Sequence, residues 1–149
     1  MSHPNVRPSD RATIMAVVNP QSAASAQSSG WISVVQFAAL QALIIVGAIG
    51  SSATVDAKIQ QATDSSGTGA KDVSGKAITQ LTKAGSDDNK QAVINFRPTD
   101  LDFSGGFTHV RLTITPATAA SLICGVILGM DAREQPPTDA TTVDEVVGG

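Results

Sequence analysis

A chain of 149 residues is the length of one domain and can bury a core of one sheet pair or barrel without metals or disulfides. Aromatic residues make up 3% of it and charged residues 15%, while Ala, Val, Ile, Gly, Ser and Thr dominate, which favours tightly packed β-structure over a helical bundle with charged outer faces. The net charge of −3, with ten basic residues scattered along the chain, argues against a nucleic-acid partner, because counterion release needs clustered Lys and Arg.

Residues 1–11, with Pro4 and Pro8 and no apolar period, read as an extended N-terminal arm that is mobile when unbound. Arg7 and Arg11 are its basic pair, better explained by a solvated arm than by phosphate contacts. A single β-domain is expected over residues 12–133. Thr13 to Val18 reads as a strand ended by Asn19-Pro20, and Gln21 to Ser29 as a low-complexity linker. Trp31 to Phe37 fits two periods, and a strand followed by a helical turn through Ala38, Ala39 and Leu40 is one solution. A strand from Leu43 to Ile49 and a hinge at Gly50-Ser51-Ser52 follow.

Val55, Ala57 and Ile59 then alternate with Asp56, Lys58 and Gln60, the pattern of a half-buried strand. A glycine-serine connection, Asp64 to Asp72, leads to renewed alternation at Ala77, Thr79 and Leu81. The connection is expected to be flexible and to reach a neighbouring subunit. Ala84 to Asn89 is a charged turn, Gln91 to Arg97 a strand closed by Pro98, and Thr99 a candidate cap for a helical turn through Asp102. Gly105-Gly106 turns into the clearest alternating strand, with Phe107, His109, Arg111 and Thr113 on one side and Val110, Leu112 and Ile114 on the other, ended by Pro116. Ser121 to Met130 is the last core strand, and residues 134–149 form an acidic, Pro- and Thr-rich tail.

The apolar runs Leu40 to Ile49 and Leu122 to Met130 fall well short of the roughly 20 residues of a membrane-crossing helix. They read as central strands with both faces covered, and no membrane partner is expected. Six to eight short strands separated by turns make an antiparallel β-sandwich, jelly roll or barrel with extended arms.

One set of motifs carries a resemblance. Ala53 to Asp64 is followed by Gly67-Thr68-Gly69-Ala70-Lys71-Asp72 and Gly75 to Leu81, with further matches at Gly30-Trp31, Gln91 to Asn95, His109 to Leu112 and Val143-Asp144-Glu145. Across most of its length the chain resembles small structural proteins encoded in the head-assembly regions of tailed bacteriophages and prophages. The resemblance implies a virion protein made in the bacterial host cytoplasm and placed on the capsid surface, with the major capsid protein and copies of itself as partners. It implies a decoration or cement protein first, then a head-to-tail connector or tail component. A receptor- or glycan-binding β-domain is a further alternative, with Trp31, Phe37, Phe103 and Phe107 as the side chains able to stack on a sugar.

No residue pattern supports catalysis. Gly67-Thr68-Gly69-Ala70-Lys71 lacks the spacing of a phosphate-binding loop, and its lysine precedes an aspartate. His109 has Asp100 and Asp102 nearby in sequence but no nucleophile on a strained turn, and with Arg111 it reads as a surface or interface residue. No His, Cys or carboxylate cluster has metal-ligand spacing, so neither metal nor cofactor is expected. Cys124 stands alone in an apolar run and reads as a buried, inert thiol; with a polar first dozen residues and no secretory signal, it fits cytosolic synthesis. Trp31 is either a core plug or an interface anchor. The interface candidates are Arg7, Arg11, Trp31, Asp64, Gly67, Gly69, Lys71, Asp72, His109 and Arg111.

Overall fold

Period-two alternation of apolar and polar side chains sets most of the strands, and a computed structural model describes them for residues 6–134 and 136–148. One helical turn, α1 (Pro8–Arg11), precedes β1 (Ala12–Ala23), β2 (Gln27–Ser28), β3 (Ile32–Ser33), β4 (Phe37–Val46), β5 (Thr54–Ala62), β6 (Lys71–Ala77), β7 (Leu81–Thr82), β8 (Gln91–Phe96), β9 (His109–Ala117) and β10 (Ser121–Ala132). Residues 1–5 of the expected arm, and Gln135 and Gly149 of the expected tail, lie outside the described residues.

The strands form two antiparallel sheets packed as a sandwich. A four-stranded sheet has the order β1-β10-β4-β8; the other has the order β2-β9-β5-β6, with β3 also on β9 and β7 also on β5. The pairings nest: β1 with β10, β2 and β3 with β9, β4 with β8, and β5 with β6 and β7. One long antiparallel ribbon therefore wraps around itself, its successive pairs alternating between sheets, which is the jelly-roll solution to the edge-strand problem.

Side chains from both inner faces fill the core. Phe37, Leu40 and Ile44 of β4 meet Val55 and Ile59 of β5, Leu112 and Ile114 of β9, and Ile127 of β10, all essentially inaccessible to water. Two buried polar side chains are tied into the backbone: the Gln61 amide donates to the Asp72 carbonyl at 3.2 Å and its oxygen accepts the Asp102 N–H at 2.8 Å. The Ser29 hydroxyl likewise accepts the Leu112 N–H at 3.0 Å.

Several local expectations yield to pairing. Asn19-Pro20 does not end β1; the register slips between Val18 and Gln21, and a bulge on an edge strand absorbs a residue without an N–H. Gln21 to Ala23 consequently continues β1, and Gln27–Ser28 pairs with β9, where a linker was expected. Ala38 to Leu40 is strand and not a helical turn, because β10 pairs with this segment from Phe37 onward. The ladder to β10, joined by β8 from Leu40 onward, outweighs a short helical period. The alternation expected from Ala77 to Thr82 is interrupted, since β5 is met first by β6 and then separately by β7. The turn at Pro98 starts two positions early: Arg97 stands at the cap position, the Asp100 carboxylate accepts the Arg97 N–H at 2.7 Å, and Thr99 is not its cap. β9 passes through Pro116, which pairs with Val55 beyond the end of β2.

The sheets close on each other at the inward row of β10. A Cβ at Gly129 would lie 2.5 Å from the Phe37 ring, and one at Gly125 would lie 2.6 Å from Leu112 Cδ2. Phe37 is only 1% exposed, so its ring has nowhere to swing. Gly129→Ala is expected to overpack the core, costing about 1–3 kcal/mol and lowering the thermal midpoint by several degrees. Thermal and urea unfolding of the purified variant test this, and an unchanged midpoint contradicts the packing described.

Candidate interaction surfaces

Eight of the expected interface residues come together at one end of the six-stranded sheet. The loop between β5 and β6 is closed from within by Asp64, whose Oδ1 accepts the N–H groups of Ser66 and Thr68 at 2.9 and 3.1 Å. The Thr63 N–H donates to the Thr68 carbonyl at 3.0 Å across its base. Hydrogen bonds from Thr68 hold the Asp64 carboxyl below its usual range. The loop is an Asx-anchored turn, and Lys71 and Asp72, expected within it, belong to β6. It joins two strands, with no helix N-terminus to complete a phosphate cradle.

Gly67 lies directly over Trp31. Its φ is +84°, and a Cβ there would sit 2.6 Å from the indole Nε1, so both the turn and the close approach demand glycine. Trp31 is half-buried on the surface and does not plug the core. The Arg111 guanidinium stacks 4.6 Å from its ring centroid, and Arg111 Nε donates to Gln60 Oε1 at 2.9 Å. Gln60 continues to Asp72 Oδ1 at 3.3 Å. Asp72 in turn pairs with Lys58 Nζ at 3.0 Å, and that lysine's hydrogen bond is the main cause of its lowered pKa.

A second stack stands beside the first. Lys71 Nζ lies 2.8 Å from Asp102 Oδ2 and 4.3 Å from the centroid of Phe107, with Gly69 against the same ring. Lys71 holds the Asp102 carboxyl below its usual range. His109 Nδ1 shares a 2.9 Å hydrogen bond with the Thr108 hydroxyl. Neither nearby aspartate is bonded to it: Asp102 faces Lys71, and Asp100 takes the Arg97 N–H with Lys76 at 3.7 Å. The cluster therefore sets no acid–base relay, and among the described residues no group of three or more His, Cys, Asp or Glu is placed to hold a metal. Arg7 is elsewhere, bonded to Asp10 at 3.0 Å beside α1, and Arg11 ends that turn next to β1.

Sequence reasoning missed a second surface. β4 and β10 are central strands, but only their inner faces are covered; Ile45 is 44% and Leu122 49% exposed. Cys124 is half-exposed on this outer face, not buried. The register aligns Val17, Val126, Leu43 and Val93 in one row across all four strands, with Cys124 and Ile45 in the next. No outward position of these paired rows is charged. Amides rim the patch and are occupied within the chain: Gln41 donates to Asn95 Oδ1 at 3.1 Å, and Gln91 to the Asn89 carbonyl at 3.0 Å. The one available sequence signal was the lack of charged residues on either side of both runs, with Gln41 the one amide among them, which marks two largely apolar faces without saying what covers the outer one.

No helix of the described residues is long and apolar enough to cross a membrane. No protein-family model matches the chain, and no curated protein matches it. Among solved structures, the chain is similar to one in the cryo-EM atomic structure of Broad Bean Stain Virus, at 9% identity, 93% coverage of this chain, 98% coverage of that chain and a TM-score of 0.48.

The carboxylates of Asp64, Asp72 and Asp102 all have folded pKa values below their ordinary 3.8. A depressed folded pKa stabilises above the unfolded value and loses that contribution as pH falls through the folded one. The Asp64 loop is thus expected to hold its structure through pH 4 and to loosen only below it. Amide signals of Ser66 and Thr68 and Trp31 emission, followed from pH 7 to pH 2, check the window. Asp64→Ala should produce the loosened signals already at neutral pH, and native-like signals there would contradict the anchoring role.

Proposed function

We propose that the protein is a non-enzymatic structural subunit of a virion, and that it decorates and cements the head of a tailed bacteriophage by binding the major capsid protein lattice from outside. The observation that carries the assembly role is the uncharged apolar outer face of the four-stranded sheet. Free monomers rarely keep such a face in water, whereas a subunit of a larger structure covers it. The phage head as the setting rests on the sequence motifs, which run from Gly30-Trp31 through Ala53 to Leu81 and on to Val143-Asp144-Glu145.

The six-stranded sheet fits the same role from the other side. Its charges are spent on neighbours, Lys58 on Asp72 and Lys71 on Asp102, which leaves a rigid, shaped surface and no poised nucleophile or base. A glycan-binding role is disfavoured by the same geometry. Sugar stacking needs open aromatic faces, yet Arg111 occupies one face of Trp31, Lys71 covers Phe107, and Phe37 is buried in the core, which leaves Phe103, 45% exposed, as the open ring of the four.

Cementing follows from mass action. A protein that binds only the assembled lattice stabilises it, and many modest sites acting together resist internal pressure. Heads stripped of the protein are expected to lose their genome at lower temperature than intact heads and to recover on adding it back. Equal heat resistance of stripped and intact heads would sink the cement role, and a ring-sized copy number by quantitative gel staining would move the protein to the neck or tail.

A further inference from the structure

We infer that the outer face of β1, β10, β4 and β8 is the contact between two copies of this chain, packed sheet against sheet about a two-fold axis; this names the occupant of the face that carries the assembly role, and so rests on that reading. β10 supplies the first reason. Its inward positions are Ser121, Ile123, Gly125, Ile127 and Gly129, while its outward positions are Leu122, Cys124, Val126, Leu128 and Met130. The strand gives its smallest side chains to the core of its own chain and an unbroken apolar row to the outside.

The second reason is complementarity. Among the described faces of this chain, the outer side of the six-stranded sheet carries Lys58, Asp72 and Arg111, and burying those against an apolar face would leave charges desolvated. Only the same uncharged face on another copy matches. With no charge in the patch, a two-fold axis brings no like charges together, and each chain contributes the same residues, as an isologous contact requires. Two sheets of equal twist also pack aligned, about 10 Å apart.

Size is the third. Four strands about 4.8 Å apart, paired over roughly 25 Å, give about 1,000 Å² summed over two copies, which reaches the threshold of a specific interface. Its make-up is an apolar centre, with Val93 52% exposed in the row that spans the sheet, inside a rim of Gln41, Asn95 and Gln91 whose amides are hydrogen-bonded within the chain.

The test uses the full chain in sedimentation and light scattering over a concentration series. The wild type is expected to be a dimer, and Val93→Lys and Leu122→Lys, both at well-exposed positions, are expected to be folded monomers with the wild-type circular-dichroism spectrum and an unfolding midpoint that no longer rises with concentration. Cys124 gives an independent readout: its reaction with a thiol reagent should slow as wild-type concentration rises and stay fast in Val93→Lys. A wild type that is monomeric throughout, or lysine variants that dimerise like it, overturns the inference. Binding to stripped heads separates the two readings. A monomeric wild type whose head binding is abolished by Val93→Lys would assign the face to the capsid and keep the virion role, whereas a dimer that never binds heads keeps the dimer and removes that role.

Discussion

The closeness of the two sheets at the inward face of β10 conditions everything else in the molecule. This strand lies between β1 and β4, so its side chains set the depth of the core along the middle of the sandwich. Gly125 and Gly129 leave recesses there, and Leu112 and Ile114 from the opposite sheet and Phe37 from β4 fill them. A chain with 3% aromatic residues has few bulky groups with which to span two widely spaced sheets. It fills the space instead with aliphatic side chains and the Phe37 ring, seated against the two glycines. The same economy leaves the larger side chains of β10 on the outer face, so core packing and surface character are two results of one choice of residues.

Charge is distributed to match. The outer side of the six-stranded sheet and the turns carry paired ions, including Lys58 with Asp72, Lys71 with Asp102, Lys83 with Asp88 and Lys90 with Asp87. All are at or near the surface, where such pairs contribute little to stability. Their effect is geometric: they fix the ends of β6 and the turn before β8, and with Asp64 they hold the loops that surround Trp31. The paired rows of the other sheet's outer face receive no charge at all.

How much of this could be read in advance depended on whether water marks one side of a strand. Val55, Ala57 and Ile59 were legible as an inward row because Asp56, Lys58 and Gln60 stand opposite them, and β9 was legible for the same reason. In β4 and β10 both sides are apolar, so the period identifies a strand but not which face is open. Local signals failed where long-range pairing overrode them, as at Pro20, carried in an edge bulge, and at Ala38 to Leu40, drawn into the ladder with β10. The Asp64 loop failed differently. Its glycines and serines suggested flexibility by composition, while one carboxylate two and four residues upstream of its targets was enough to close it. The stack of Arg111 on Trp31 joins residues far apart in sequence, and no local pattern announces it.

The edges of the four-stranded sheet decide how it can associate. Unpaired edge strands invite extension by another chain, but both edges here are guarded. On β1 the tail returns and the Ala140 N–H donates to the Ile14 carbonyl at 2.8 Å. On β8, Lys76 reaches across from β6 and its ammonium donates to the Asn95 carbonyl at 3.0 Å, placing a charge where an incoming strand would have to lie. Growth of the sheet sideways would have to displace these groups and desolvate the lysine. The apolar face between the edges is open and has no charge to desolvate, so association through it would cost less than association at either edge.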